Sequence, residues 1–365
     1  MADTSIEWTD KTWNPVTGCT RASTGCDNCY AVTMTKRLEA MGQEKYSGLV
    51  NIGKGHFNGV VKCHEDALLL PLSWKKPQRV FVNSMSDLFH PGVPFEFIDK
   101  VFAVMALCPH LTFQVLTKRP QRMVQYFATP GPITGAFAGG ARGFDCEEAL
   151  PASYKVFWDW FEKAGLRCPE LSYPYPNVWL GTSVEDQKAA DERIPHLLKC
   201  PAAVRFLSCE PLLGSVSLDV MNFGAEFDAE GASYYNALKG KAFEADGEPG
   251  SWGPKIDWVI CGGESGHGAR PMSPDWARSL RDQCQAANVS FFFKQWGEWV
   301  PDDGRCAEPG STVPSSVPLE YPFAEWDSEE KVFFGDLTAM LKIGKHRAGR
   351  VIDDRTWNEF PAVKA

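Results

Sequence analysis

The chain has 365 residues, of which 44% are hydrophobic and 23% charged, a balance typical of soluble globular proteins. Its formal net charge of −9 excludes a global positive field of the kind that attracts nucleic-acid backbones, so a nucleic-acid partner would need a local basic patch. The most apolar stretch, residues 101–108, is far shorter than the roughly 20 residues that span a bilayer. Because the first residues carry no apolar run either, we expect a cytoplasmic protein with no membrane contact.

Seven short runs rich in β-branched and aromatic residues recur along the chain, and most are followed by a helix-like stretch. Near-continuous apolar strands separated by helices are typical of a parallel sheet covered on both faces. The pattern predicts an α/β fold, a (β/α) barrel or partial barrel of about six to seven parallel strands with long insertions. The predicted strands cover 12–16, 79–85, 111–117, 177–183, 204–210, 256–263 and 290–296, and the clearest helices cover 29–42, 95–108 and 273–289.

Three stretches rich in Gly, Pro, Ser and acidic residues interrupt this alternation, at 128–176, 214–255 and 300–340. Loops this long in a compact fold are usually functional or mobile. We interpret the first two as insertions in a single barrel domain, residues 1–300. Residues 301–365 then form a C-terminal extension that packs on the barrel.

Three cysteines, Cys19, Cys26 and Cys29, lie close together directly after the first predicted strand. The chain has 12 cysteines, which is many for a cytosolic protein, where disulfides rarely persist; a cluster therefore indicates metal ligation or redox chemistry. Cys26 and Cys29 come at the start of the next predicted helix, where unpaired backbone N–H groups favour thiolates and lower their pKa. Soft metals bind thiolates, so the spacing predicts a metal site at these three residues.

Two kinds of metal centre are compatible with three cysteines. A 4Fe–4S cluster held by three thiolates leaves one iron without a protein ligand, open to a substrate or cofactor. A zinc ion would need a fourth ligand, for which Cys63 and His64 are the candidates. Cysteines that bind no metal are the remaining alternative.

Polar residues follow nearly every predicted strand. In a parallel barrel the loops after the strands build the working face, so these residues are expected to form one site. We assign catalytic roles to Cys209, Glu210 and Lys294, with Cys209 as a hydrogen donor or a ligand of a second metal. The candidate cofactor-binding residues are Ser84, Asp87, Ser183, Glu185, Gly262, Gly263 and Glu264.

Longer motifs extend over nearly the whole chain, including WNPVTGC, GCDNCYA, FVNSMSDLFH, VLTKRP, RFLSCEPLLG, WVICGGESG and GRVIDDRTWNEFP. In these motifs the sequence resembles a phage- and mobile-element-associated, radical-SAM-like family of unknown function that is often encoded beside three-Cys-motif partner proteins. The resemblance implies a 4Fe–4S cluster at Cys19, Cys26 and Cys29 whose open iron is chelated by S-adenosylmethionine. The spacing C-x6-C-x2-C differs from the C-x3-C-x2-C of most radical-SAM enzymes.

The resemblance implies an iron–sulfur enzyme that generates a 5′-deoxyadenosyl radical with electrons from a reductase or flavodoxin-type donor. Glu264, after Gly262 and Gly263, would hold the amino group of the methionyl moiety, and the glycines would allow close approach. The phage-linked relatives imply modification or repair of nucleic acid, and a three-Cys-motif protein as a partner. Two other classes stay open: a zinc-braced barrel hydrolase that uses Glu185, Glu210 and Glu264, and a non-catalytic zinc-containing nucleic-acid-binding module.

Overall fold

A sheet of seven parallel strands forms the centre of the protein, and its spatial order follows the chain order. The computed structural model describes residues 4–51, 53, 55–129, 160, 162–165, 174–222, 234–243, 249–302, 331–334 and 338–362. The strands are β1 (Lys11–Trp13), β2 (Gln78–Val82), β3 (Leu111–Thr117), β4 (Val178–Ser183), β5 (Val204–Cys209), β6 (Trp258–Gly262) and β7 (Ser290–Gln295).

The sheet is curled into an open half-barrel flanked by helices. Strands β1 and β7 are its two edges, and within the described residues they do not pair with each other. Each neighbouring pair is parallel, for example β3 with β4 through Val115 opposite Leu180. The predicted α/β fold, a partial barrel of parallel strands, is confirmed.

Helices connect most successive strands across the outer face. Among the described residues they are α1 (Tyr30–Ala40), α2 (Glu65–Leu68), α3 (Phe95–Ala106), α4 (Pro120–Ala128), α5 (Gln187–Lys199), α6 (Pro274–Ala287) and α7 (Lys345–Ala348). Short 3₁₀ turns cover Thr24–Cys26, Glu44–Tyr46 and Leu70–Ser73. Helix α6 has Pro274 in its first turn, as predicted, and ends at Asn288, whose φ of 51° is left-handed. None of the described helices has the length and apolar content that a bilayer crossing requires.

The sheet separates two apolar cores because successive strand residues point to opposite faces. On β2, Val80 and Val82 belong to the larger core under the helices, whereas Phe81 belongs to a smaller cluster with Trp8. The rings of Trp8 and Phe81 lie 4.7 Å apart. The other buried members of this inner cluster are Trp179, Val204, Phe206, Trp258, Ile260 and Phe292. The inside of the half-barrel is therefore filled by aromatic side chains.

Short antiparallel sheets lie around the half-barrel. The insertion at 214–255 contains one of them, whereas the insertion at 128–176 and the stretch 300–340 fall largely outside the described residues. The strand sets are Tyr234–Asn236 with Lys241–Phe243 and Pro249–Trp252; Trp299–Asp302 with Lys331–Phe334 and Thr338–Lys342; Val351–Ile352 with Arg355–Thr356; Val16–Thr17 with Lys62–Cys63; and Val50–Asn51 with His56–Phe57.

The end of the described chain packs against the β6 and β7 side of the sheet. Trp258 Nε1 donates to the carbonyl of Glu359 at 2.9 Å, and the ring of Phe360 lies 5.2 Å from that of Trp258. Asn358 forms a bridge with Phe292 of β7. These contacts cover the open edge of the sheet, which would otherwise expose unpaired backbone groups.

Candidate functional site

A cavity of about 960 Å³ lies at the carboxyl ends of the seven strands. The floor of this cavity includes Trp8 and Phe81 of the inner aromatic cluster. Every strand end contributes to the wall, and the contributing residues include Asn14, Ser84, Lys118, Ser183, Glu210, Glu264 and Lys294. Residues that are far apart in sequence converge because parallel strands end at the same edge of the sheet.

The three clustered cysteines lie in the wall of this cavity. Cys26 ends the 3₁₀ turn and Cys29 immediately precedes α1. All three thiols are free and half-buried. Cys26 lies close enough to Cys19 and Cys29 for its charge to act on both thiols. The three predicted metal ligands therefore line the same cavity. We call residues 19–29 the cysteine loop.

The two metal centres that the sequence leaves open require different sets of ligands. In the part of the chain that is described, no group of three or more His, Cys, Asp or Glu is arranged to hold a single metal ion. Cys63 is exposed and His64 is bonded to Thr17 Oγ1 at 2.8 Å, and neither lines the cavity. An iron–sulfur cluster uses thiolates as ligands, each on a different iron. Three thiols in one cavity wall match that donor set.

Burial keeps two of these thiols protonated in the metal-free protein. It raises the pKa of Cys19 to about 12, with a further contribution from the nearby charge of Asp87. Burial also raises the pKa of Cys29 and outweighs the backbone N–H groups of Ala31 and Val32. The expectation of a lowered pKa at the helix start is thus wrong for Cys29. Metal binding here must release protons.

Asp87 anchors the first part of the cysteine loop through Arg119. Its carboxylate is 5% exposed and accepts bonds from the backbone N of Lys118 at 3.1 Å and from Arg119 Nη1 at 2.8 Å. Arg119 also donates to the carbonyl of Thr20 at 2.9 Å, and its Nη1 lies 3.8 Å from Cys19 Sγ. Asp87 therefore orients a cation beside a predicted ligand.

Glu185 anchors the middle of the cysteine loop. Its side chain is 1% exposed, and it accepts bonds from Ser23 Oγ at 2.7 Å, from Arg193 Nη1 at 2.8 Å and from Lys118. Burial opposes ionisation, but the two cations outweigh it, so the pKa of Glu185 lies below its ordinary value. Gly25 packs directly on this side chain, since a Cβ there would lie 2.4 Å from Glu185 Cγ.

Glu264 anchors the last part of the cysteine loop. Its Oε2 accepts bonds from Asn28 Nδ2 and from the backbone N of Arg270, both at 2.9 Å, and its Oε1 accepts from Arg270 Nη2 at 2.6 Å. Burial favours the neutral acid, yet the bonds from Arg270 outweigh it and lower the pKa of Glu264. The same guanidinium donates to the carbonyl of Thr24 at 2.9 Å. Protein donors thus occupy both oxygens that were expected to bind a methionyl amino group.

Glu210 and Lys294 form an ion pair in the cavity wall. Lys294 Nζ lies 2.5 Å from Glu210 Oε1. The side chain of Lys294 is 13% exposed and that of Glu210 is 19% exposed. Gly262 lies beneath this pair, where a Cβ would be 3.4 Å from Lys294 Cβ. A Cβ on Gly263 would lie 1.9 Å from the carbonyl oxygen of Trp296, so that glycine permits the close approach of the chain after β7.

The remaining predicted residues are placed differently. Ser84 and Ser183 line the cavity, and Ser84 Oγ lies 3.2 Å from Asn14 Oδ1. Cys209 is fully buried and lies opposite Cys261 on β6. Both belong to the core under the helices, so the structure does not bring Cys209 into the cavity.

Four residues without an assigned role emerge at this site. Asn28 and Arg270 link the cysteine loop to Glu264, and Tyr30 donates to the carbonyl of Ser84 at 2.5 Å. Asn83 has a φ of 60° and lines the cavity, and its buried Nδ2 has no hydrogen-bond partner among the residues that the structure describes. In the sequence, only their positions mark two of these residues as functional candidates. Asn28 lies between two cysteines, and Arg270 follows Glu264 by six residues.

A protein-family model matches residues 3–361, and its description is protein of unknown function (DUF5131). Searches among curated proteins and among solved structures gave no match. The matched range contains the cysteine loop, all seven strands of the half-barrel and the segment that covers its edge. The chain with this cysteine-lined cavity therefore belongs to the DUF5131 family, whose function is unknown.

Proposed function

We propose that the protein is an iron–sulfur enzyme of the radical-SAM type, with Cys19, Cys26 and Cys29 as the ligands of a 4Fe–4S cluster. One observation carries this proposal. The three thiols line a single cavity whose wall is completed by the ends of all seven strands, which is the working face of a parallel barrel. Three ligands leave one iron open, and a cavity of about 960 Å³ has room for a cofactor and a substrate group.

The charged side chains around the cavity favour a bound cofactor that carries negative charge. Among the described residues, seven lysines and arginines line the cavity, against four aspartates and glutamates, although the whole chain has a net charge of −9. Arg119 lies 3.8 Å from the sulfur of Cys19, and the charge of Lys118 acts on Cys29. Cations and hydrogen-bond donors beside the ligand sulfurs stabilise thiolates and tune the potential of a cluster.

Cys19, Cys26 and Cys29 would hold the cluster, which, once reduced by an external donor, would supply the single electron needed for reductive cleavage of S-adenosylmethionine to methionine and a 5′-deoxyadenosyl radical. The residues of the chain hold the ligands in place and limit access by water. Asp87, Glu185 and Glu264 fix three successive parts of the cysteine loop to β2, β4 and β6. The aromatic floor of the cavity, with Trp8 and Phe81, excludes water from below.

The strand-end carboxylates do not favour the hydrolase alternative. Glu185 pairs with Arg193, Glu210 with Lys294 and Glu264 with Arg270. The pKa values of Glu185 and Glu264 lie below the ordinary value because these cations outweigh burial. A general acid needs the opposite shift, a raised pKa.

Anaerobic reconstitution with iron and sulfide tests the proposal. We expect a brown protein with about four irons per chain, which releases 5′-deoxyadenosine from S-adenosylmethionine when dithionite is added. Alanine at Cys19, Cys26 or Cys29 should remove most of the iron and all of the product. Cys63→Ala is the matched control, since Cys63 is an exposed free thiol outside the cavity wall, and it should retain both.

Two results would contradict the proposal. A colourless protein that binds one zinc per chain and shows no iron uptake would favour the zinc-containing alternatives. Iron uptake that is unchanged in Cys26→Ala would show that the cluster is not held by the cysteine loop. Each result is obtained by metal analysis and visible absorption, independently of any substrate.

A further inference from the structure

The exposed apolar side chains of the protein are concentrated around the cysteine loop. Among the described residues eight large hydrophobic side chains are exposed, and six of them belong to residues 30–70. These six are Tyr30, Met34, Met41, Val60, Leu69 and Leu70. Several lie close to the loop: Tyr30 and Met34 line the cavity, and a Cβ on Gly18 would lie 2.1 Å from the carbonyl oxygen of Val60. Exposed apolar groups that are concentrated in one region indicate an interaction site, whereas single ones are normal.

Helix α1 presents a continuous exposed stripe to the solvent. Tyr30, Met34, Arg37 and Met41 follow one another at intervals of four, three and four residues, which places them along one side of a helix. All four are exposed, and the buried residues of α1 lie on the other side. We call these four residues the α1 stripe. It begins directly after Cys29, a proposed cluster ligand, and at 1.5 Å per residue it is about 17 Å long.

The composition of the α1 stripe favours a protein as its partner. Tyr, Met and Arg are enriched at protein interfaces, and Met adapts its shape to different partners. Nucleic acids are bound mainly by cations that contact phosphates, whereas the α1 stripe has one cation among three apolar side chains. The stripe is also small, and small interfaces are typical of transient electron-transfer complexes.

The charge of the surrounding region favours an acidic partner. Residues 30–62 include five lysines and arginines against two glutamates, although the whole chain has a net charge of −9. Lys36, Arg37 and Lys45 are exposed, and none of them forms an ion pair within the part of the chain that the structure describes. Complementary charge increases the rate of encounter and makes association sensitive to salt.

We propose that the α1 stripe is the docking site of an acidic one-electron carrier protein of the flavodoxin type, an inference that rests on the proposed function. Reductive cleavage of S-adenosylmethionine consumes one electron, which an external donor must supply. A carrier on the α1 stripe lies beside Cys29, and Arg37 and Met41 extend the stripe beyond the cavity wall. The carrier is oxidised by one electron, and the centre held by the cysteine loop is reduced by one. No bond forms or breaks in this step, and no proton moves.

Binding of a flavodoxin to the full chain tests this surface. Calorimetry with the metal-free protein measures docking independently of any cluster. Arg37→Glu reverses the charge of the α1 stripe, and Met41→Ala removes its outer apolar end. Lys188→Glu and Val220→Ala are the matched controls, because both residues are exposed and lie outside residues 30–70. Circular dichroism establishes that the variants are folded.

We expect Arg37→Glu to weaken flavodoxin binding about 10-fold and Met41→Ala about fivefold, the losses typical of important interface side chains. The two controls should stay within about twofold of the wild type, and the wild-type affinity should fall as salt is added. In the reconstituted protein, the visible absorption should be bleached more slowly by reduced flavodoxin in both stripe variants. Dithionite, which needs no docking surface, should reduce all the proteins at the same rate.

The outcomes separate this inference from the proposed function. Equal flavodoxin binding by the wild type and Arg37→Glu overturns the inference and leaves the radical-SAM proposal standing. Failure of the wild type to bind flavodoxin at low salt also overturns it, as does binding of a single-stranded oligonucleotide in place of flavodoxin that depends on Arg37. Flavodoxin binding that depends on Arg37, in a protein that takes up no iron, supports the docking surface but contradicts the proposed function.

Discussion

Replacing Glu185 by Gln tests whether the cysteine loop is held by a buried charge. The carboxylate is 1% exposed and lies between Arg193 and Lys118, with Ser23 Oγ donating to it at 2.7 Å. Glutamine keeps the volume but leaves two cations with one neutral acceptor. Breaking a buried ion pair costs about 3–5 kcal/mol, against a total of about 5–15 kcal/mol for a typical domain. We therefore expect the variant to lose at least a fifth of the stability.

Urea unfolding of the metal-free protein measures this loss. The midpoint should fall while the slope with denaturant stays constant, because the surface exposed on unfolding is unchanged. Glu192→Gln is the matched control: it lies on the same helix, α5, and is exposed, so it should change the stability by less than about 0.5 kcal/mol. Iron bound after reconstitution should also fall in Glu185→Gln, since Ser23 loses its anchor.

The pH dependence of this difference follows from the lowered pKa of Glu185. A carboxylate with a lowered pKa in the folded state stabilises the protein above its unfolded pKa of about 4.3. That contribution is lost as the pH falls through the folded pKa. The gap between wild type and Glu185→Gln should therefore be constant near neutral pH and shrink on acidification. If Glu185→Gln loses less than about 1 kcal/mol of unfolding free energy at pH 7, and no more than Glu192→Gln loses, the buried charge does not hold the cysteine loop.

Three further measurements test other parts of the structure. Gly25→Ala should destabilise the protein by about 1–3 kcal/mol through overpacking, because its Cβ would lie 2.4 Å from Glu185 Cγ. Gly53→Ala is the control and should be nearly neutral in the same urea experiment, because a Cβ there would meet no non-neighbouring atom of the described residues within 4 Å. Burial raises the pKa of Asp99 to about 7, and Tyr126 donates to it at 2.8 Å, so the contribution of Asp99 to wild-type stability should fall between about pH 4 and pH 7 as ionisation becomes costly. Asp99→Asn should remove that fall, and equal pH profiles of the two proteins would contradict this. Burial lowers the pKa of His90 to about 4, and a backbone N–H donates to its Nδ1 at 3.0 Å; its NMR titration should show a neutral ring at pH 6, and a midpoint near 6.5 would contradict the buried geometry.

The strands and the cysteine cluster could be predicted because their signals are local. A buried parallel strand is a short apolar run, and β3 and β7 begin at the predicted residues, Leu111 and Ser290. Cys19, Cys26 and Cys29 lie within one short loop before α1, and in this fold that loop places all three in one cavity wall. Helices α4 and α5 are missing from the sequence prediction, although α4 buries Pro120, Met123 and Tyr126 at helical spacing.

The role of each charged residue at a strand end depends on partners that lie far away in the sequence. Glu185 meets Ser23 across 162 positions, and Glu264 meets Asn28 across 236. Such contacts exist only after the sheet has curled and brought its strand ends to one edge. Local apolar patterns therefore determined the half-barrel, and the spacing of the cysteines determined the thiol cluster. Tertiary structure alone decided which carboxylates anchor the cysteine loop and which one, Glu210, pairs with Lys294 instead, because charge pairing depends on distance in space.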